Sequence, residues 1–370
     1  MSTRIRKSVS DLKPYEPGRQ TETPGVLKLN TNENPYPPSP KVADAIKQFS
    51  VPALRLYPEP TSLHLRRKLA ALHETKPEQI FVGNGGDEVL ALCTRAFVEN
   101  DGSIGFFAPS YSLYPVLAAI RDVATKPVPL AADFAWQVPD GYESSLFFLT
   151  NPNAPTGILF SKEIVRAFCE KFPGLVVIDE AYVDFASADC IELALSMENV
   201  LVVRSMSKSY SLAGVRLGYA VGPAPCIEAL FKVKDSYNVS RFAQTVAMAA
   251  LDDLPHMRQN VEKIKATRDR VARDLRTLGC EVPASEANFV WVRPAGIPAA
   301  TLHEELQKRN FWVRHFPGER TGEFVRITIG MDRVMDNLFQ AMRELCAAAP
   351  APPAQGEAAP PAQQPGQGAQ

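Results

Sequence analysis

Four short apolar runs, each ending in polar groups, constrain this chain more than any other feature. They are "IFVGNGGD" (80–87), "LFFLTNPN" (146–153), "LVVIDEAY" (175–182) and "VLVVRSMSK" (200–208). A strand with one wet face alternates apolar and polar residues. A run that is apolar throughout is buried on both faces. Helical patterns separate these runs, as in "PTSLHLRRKLAALHE" (60–74). Together they predict an α/β fold with a mostly parallel central sheet flanked by helices. From about residue 255 the pattern changes. A long charged helix ("MRQNVEKIKATRDRVARDLRTLG", 257–279) precedes the strand-like runs "ANFVWVRP" and "EFVRITIG". That change predicts a smaller α+β domain.

The domain reading is therefore a Pro-rich arm over 1–40, a large domain over 41–250 and a small domain over 251–346. The segment 347–370 is Ala, Pro, Gln and Gly apart from one Glu, too poor in apolar side chains to offset its ordering entropy, so we expect a disordered tail.

Net charge is −1, which gives no electrostatic case for nucleic acid or an anionic membrane. No apolar run is long enough to span a bilayer, and the basic start "MSTRIRKSVSDLKPYEPG" lacks the apolar stretch of a secretory signal. The six cysteines contain no C-x-x-C and the five histidines no H-x-x-x-H, so neither a disulfide framework nor a metal site is expected. These features predict a cytoplasmic protein.

In an open α/β sheet, ligands bind beyond the carboxyl ends of the strands. The polar groups of this chain collect there. They are Gly83-Asn84-Gly85-Gly86-Asp87, then Asn151 to Gly157, then Asp179-Glu180-Ala181-Tyr182, then Arg204 to Lys208. The glycine cradle opens a helix, whose backbone N–H groups and dipole suit a phosphate. Taken alone it reads equally as a tight turn, since Glu88 breaks the G-x-G-x-x-G pattern. Asp179 alone could cap a helix, and Lys208 alone could be solvated. As a set, a lysine near a phosphate cradle and a carboxylate suits Schiff-base chemistry on a pyridine cofactor. The carboxylate would keep the ring nitrogen protonated. Ser205, Ser207 and Arg216 would hold the phosphate. Tyr111, in "APSYSLYP", is a candidate to stack on the ring.

"SMSKSYSLAGVRLGY" (205–219), "NPNAPTG" (151–157) and "VVIDEAYVDF" (176–185) resemble the fold-type I aminotransferases dependent on pyridoxal 5′-phosphate. "LNTNENPYPPSP", "LYPEP", "GNGGDEVL", "DSYNVSRFAQ" and "EFVRITIG" resemble the histidinol-phosphate aminotransferase family within them. The resemblance runs from about 10 to 346. It implies transamination between histidinol phosphate and 2-oxoglutarate, in histidine biosynthesis, by a homodimer. It implies that Lys208 joins the cofactor and then moves a proton. Asp179 would pair with the pyridine nitrogen and Tyr182 would bond the 3′-oxygen. The amides of Gly86 and Asp87 would hold the phosphate with Ser205, Ser207 and Arg216, and Tyr57 would reach the phosphate of the other subunit. Arg326 would bind the carboxylate of glutamate or 2-oxoglutarate. Arg314 and Tyr15 would bind the phosphate of histidinol phosphate, and Asn34 would line the substrate pocket. The chain departs from the family where Ala154 stands directly before P-T-G, in place of an Asn that bonds the 3′-oxygen. Asn153 is the candidate substitute.

Other activities fit less of the sequence. An aromatic amino-acid aminotransferase and a phosphothreonine decarboxylase share the fold and motifs. Ser205 to Lys208 satisfies the S-x-x-K of penicillin-recognising serine hydrolases, but S-D-N and K-T-G are absent from the chain. A nicotinamide dehydrogenase lacks its glycine fingerprint.

Overall fold

The computed structural model describes residues 4–21 and 23–347. The expected disordered tail thus lies outside the described residues, except that Ala347 closes a helix. Among the described residues twelve strands follow in chain order. They are β1 (Leu27–Lys28), β2 (Ile80–Gly83), β3 (Ser103–Ala108), β4 (Ala124–Pro129), β5 (Leu146–Thr150) and β6 (Leu175–Asp179). Then come β7 (Val200–Ser205), β8 (Gly218–Val221), β9 (Phe289–Val292), β10 (Phe311–Trp312), β11 (Arg314–His315) and β12 (Val325–Thr328).

Seven strands form one sheet in the order β2-β8-β7-β6-β5-β3-β4. All run the same way except β8, which is antiparallel to both β2 and β7. β5, β6 and β2 are buried along their whole length. Alternate residues feed two separate cores, one on each face. Phe147, Leu149, Val176, Ile178, Val200 and Val202 enter one core. Leu146, Phe148, Leu175, Val177, Leu201 and Val203 enter the other. This is why the runs show no polar alternation. Between strands, the helices Gly86–Phe97, Leu113–Arg121, Lys162–Lys171 and Ile191–Ser196 supply the covering layers.

A second sheet, β11-β12-β9, is antiparallel and follows the 24-residue helix Leu254–Thr277. The arm is not purely extended. It contains the short helix Lys7–Ser10, and β1 pairs in parallel with β10 beside this second sheet. Buried Arg268 ties the long helix to both parts, donating to Phe185 O and Ala287 O at 3.2 Å each.

The larger core is strongly aromatic. Phe147 is fully buried and lies edge-on to Phe107, Phe168 and Tyr142 at 5.0–5.7 Å between ring centroids. Phe147→Ala should cost about 3–5 kcal/mol through lost transfer energy and the cavity left behind. A fall in the urea midpoint at an unchanged m-value would show it.

Candidate active site

Parallel strands place their carboxyl ends on one rim, and a cavity of about 330 Å³ opens there. Thirteen of the fifteen singled-out residues are accounted for at or around it: Gly86, Asp87, Tyr111, Asp179, Tyr182, Ser205, Ser207, Lys208, Arg216, Tyr15, Arg314 and Arg326 line it, and Asn34 lies directly behind it. Asn153 packs beneath the wall and Tyr57 stands apart.

Lys208 sits three residues beyond β7 and is half-buried, with Nζ donating to Thr31 O at 3.0 Å. Burial and the nearby Arg326 cation pull its amine down to about 8. Asp179 ends β6. Its carboxylate accepts from Tyr114 Oη at 3.0 Å and from the Ala181 N–H at 3.1 Å. Burial raises it to about 6, against the lowering effect of those two bonds. Behind it, Glu180 and Arg204 form a buried ion pair at 2.8 Å that joins the ends of β6 and β7.

At the other end of the cavity, helix Gly86–Phe97 begins at Gly86, with Gly85 before it at φ +87°. The first backbone N–H groups of a helix have no intrahelical acceptor. A Cβ on Gly85 would lie 2.6 Å from the Arg216 guanidinium, so only glycine lets that side chain approach. A Cβ on Gly218, which opens β8, would lie 2.4 Å from Gly86 N, so glycine also permits the strand to pack against the helix start. Arg216 itself adopts a left-handed backbone, φ +58°, and meets the Asp87 carboxylate at 3.3 Å. Asp87 thus contributes its side chain as well as its amide, and also accepts from Tyr111 Oη at 3.2 Å. These amides, Ser205, Ser207 and Arg216 are a donor set suited to a phosphate. Asp179 suits a protonated ring nitrogen. The residues present therefore fit the cofactor that the sequence resemblance implies.

Arg314 and Arg326 are directly opposed across β11 and β12. Like charges facing across strands are destabilising. Among the described residues no carboxylate pairs with either, and the buried Arg326 Nε has no partner. Arg326 Nη2 donates to Asn30 O at 3.1 Å, and Arg314 Nη2 to Glu16 O at 2.9 Å. Two guanidiniums so held suit an anionic substrate. Tyr15 closes this side, edge-on to Tyr111 at 5.7 Å.

Two placements differ from what the sequence led us to expect, and Tyr57 stands where a residue meant for the other subunit's cavity would stand. Asn34 does not line the cavity; its amide donates to Lys208 O and Ser209 O at 3.1 Å each and so clamps the loop carrying the lysine. Asn153 spends its Nδ2 on Pro109 O and Thr156 Oγ1 at 3.2 and 3.0 Å, and Ala154 faces the cavity instead. Tyr57 lies 75% exposed, stacked on Tyr237 at 4.3 Å, away from the cavity of its own chain.

Sequence reasoning passed over Asn32, Tyr114 and Thr31. All lie in motifs it quoted, but their partners are 150, 65 and 177 residues away.

Residues 24–342 match the family described as aminotransferase class I and II. The chain is 44% identical over 342 residues to histidinol-phosphate aminotransferase 1 of Bradyrhizobium diazoefficiens, covering 91% of this chain and 97% of that one. It is 43% identical over 348 residues to histidinol-phosphate aminotransferase 2 of Burkholderia mallei, covering 92% and 98%. In three dimensions it is similar to the crystal structure of histidinol-phosphate aminotransferase from Sinorhizobium meliloti in complex with pyridoxal-5′-phosphate. The TM-score is 0.83 at 26% identity, covering 94% of this chain and 99% of that one.

The perturbed carboxylate has a consequence for stability. The raised Asp179 binds its proton more tightly folded than unfolded. Its favourable contribution is thus complete below the unfolded value and lost as pH rises through about 6. Asp179→Asn should therefore stabilise the ligand-free protein at neutral pH, by up to about 3 kcal/mol. The gain should shrink as pH falls toward the ordinary carboxylate range. Urea melts of ligand-free wild type and variant at two pH values check both the sign and the trend.

Proposed function

The chain belongs to the aminotransferase class I and II family, and from that premise we infer that it transfers an amino group between histidinol phosphate and 2-oxoglutarate, in histidine biosynthesis. The observation that carries this reading is the single cavity uniting a depressed lysine amine, a buried carboxylate, a phosphate-type donor set and two opposed arginines.

Pyridoxal 5′-phosphate, when bound, supplies a carbonyl carbon that takes up the amino group and a pyridine ring that withdraws electrons from the substrate Cα. The Gly86 and Asp87 amides, Ser205, Ser207 and Arg216 hold its phosphate. Asp179 holds a proton on the ring nitrogen, Tyr182 bonds the 3′-oxygen, and Tyr111 packs on the ring. An amine lowered to about 8 leaves Lys208 partly unprotonated near neutral pH, fit to take and return the proton at Cα. Arg326 binds the carboxylate of glutamate or 2-oxoglutarate. Arg314 and Tyr15 bind the phosphate of histidinol phosphate, whose binding energy orients Cα–H toward Lys208.

We divide the chain into the arm 1–40, a large domain 41–250 and a small domain 251–346. The β1–β10 pairing and the cavity position of Tyr15 support assigning the arm to the small domain and substrate side. We also propose a cytoplasmic homodimer in which Tyr57 reaches the partner's cofactor phosphate. Val51, Leu54, Leu56 and Tyr57 are 49–75% exposed within one short segment, an apolar patch that asks for a cover. The six cysteines are all unpaired, in keeping with a reducing compartment.

Adding histidinol phosphate without a keto acid should bleach the visible band of the purified holoenzyme. A band that persists would remove this donor and point to aromatic amino acids or phosphothreonine. Lys208→Ala should fold, lose the band and lose turnover by several orders of magnitude; wild-type turnover in that variant would defeat the assignment. Light scattering should give the mass of two chains, and the double variant Leu54→Glu, Leu56→Glu the mass of one.

A further inference from the structure

We propose that Asn32 is a positioning residue that turns the hydroxyl proton of Tyr182 toward the cavity. The proposal rests on the pyridoxal 5′-phosphate reading of the site.

Asn32 is 1% exposed and adopts a left-handed backbone, φ +56°. Three bonds hold it there. Its N–H donates to Thr328 Oγ1 at 3.0 Å, the Thr328 hydroxyl is 3.0 Å from Asn32 Oδ1, and Asn288 Nδ2 donates to Asn32 O at 3.0 Å. A hydroxyl has one proton. Thr328 Oγ1 accepts the Asn32 N–H on one lone pair and gives its proton to Asn32 Oδ1. The amide orientation is thereby fixed, and Nδ2 faces Tyr182 Oη at 2.9 Å as a donor. Tyr182 is then an acceptor toward Asn32, and its own proton remains to be given elsewhere. A hydroxyl that accepts a hydrogen bond is also a stronger donor.

The cavity is where that proton is useful. Lys208 Nζ lies 5.9 Å from the Tyr182 ring centroid, and both side chains line the one cavity, so Tyr182 would be among the groups facing a cofactor joined to that amine. Ala154 and Asn153, on the loop after β5, do not replace it. Ala154 is apolar, and both partners of Asn153 Nδ2 lie in its own wall. A hydrogen bond from Tyr182 to an anionic ring oxygen stabilises that anion and weakens its hold on a proton at the Lys208 linkage. The linkage then loses its proton at lower pH. Arg326, Glu33, Asp87, Arg216, Asp179 and Tyr15 also act on this pair, and substitution at Asn32 leaves all six in place.

The experiment is a pH titration of the visible band in the holoenzyme. Asn32→Gly tolerates the left-handed backbone and removes only the side chain. It should raise the titration midpoint by about one unit, as a tenfold change in proton affinity, and Tyr182→Phe should raise it at least as much. The double variant should titrate like Tyr182→Phe alone. Asn32→Ser, which also lacks the Nδ2 donor, should shift the same way and serves if the glycine variant does not fold. A wild-type midpoint in either Asn32 variant overturns the proposal. So does an Asn32 effect that persists undiminished in the Tyr182→Phe background, since Asn32 would then act by another route. A wild type with no visible band instead overturns the cofactor reading beneath it, and a visible band that does not titrate in any of the variants or the wild type overturns the proposal.

Discussion

The site depends on one constraint: neighbouring strands that run the same way must end on the same side. β5, β6 and β7 are adjacent and parallel, and the residues that follow their apolar segments reach one rim without any further device. Strand separation in a sheet is about 4.8 Å, so Asp179 and the Ser205–Lys208 turn are brought within one ligand's length by backbone pairing alone. The buried Glu180–Arg204 pair then locks the two strand ends together behind the cavity.

The same burial that orders the site strains it electrostatically. A carboxylate, a lysine amine and two opposed guanidiniums share one cavity walled by aromatic rings and the sheet edge. Desolvation pushes Asp179 up and Lys208 down, each toward its neutral form. Neither shift serves the stability of the protein by itself. Both leave the groups poised to change protonation, which suits acid–base work. Arg326, which has no carboxylate partner among the described residues, is packed against Phe289 and Phe316 at 5.2 Å, so its charge is left uncompensated by the chain.

Much of this was legible in the sequence because local order dictates it. An apolar run followed by Asp179, or by Ser205 to Lys208, says both "buried strand" and "strand end" within about ten residues. The matches to the class I and II aminotransferase family bear out the α/β reading and the aminotransferase resemblance. What escaped depends on long-range pairing. Nothing near Asn32 indicates that Tyr182 and Thr328 are its partners, 150 and 296 residues away. The opposition of Arg314 and Arg326 is a register fact that only the pairing of β11 with β12 fixes. Asn34 was assigned to the pocket from its motif, whereas its side chain turns to the lysine loop's backbone, a choice of direction that residue spacing does not encode.

The reversed strand β8 carries a further consequence. Because it runs against β7, the segment between them starts and finishes on the same rim, as a hairpin whose two legs are paired strands. Met206 N–H to Leu217 O at 3.0 Å ties its neck, and Leu212 N–H returns to Met206 O at 3.2 Å within it. Lys208 and Arg216 therefore belong to one closed loop and cannot drift apart independently. The spacing between the Lys208 amine and the Arg216 guanidinium is a property of that hairpin, set as the large sheet folds. The proposed seat for the cofactor thus takes its dimensions from the large sheet alone, whereas Tyr15, Arg314 and Arg326 are carried by the arm and the small sheet.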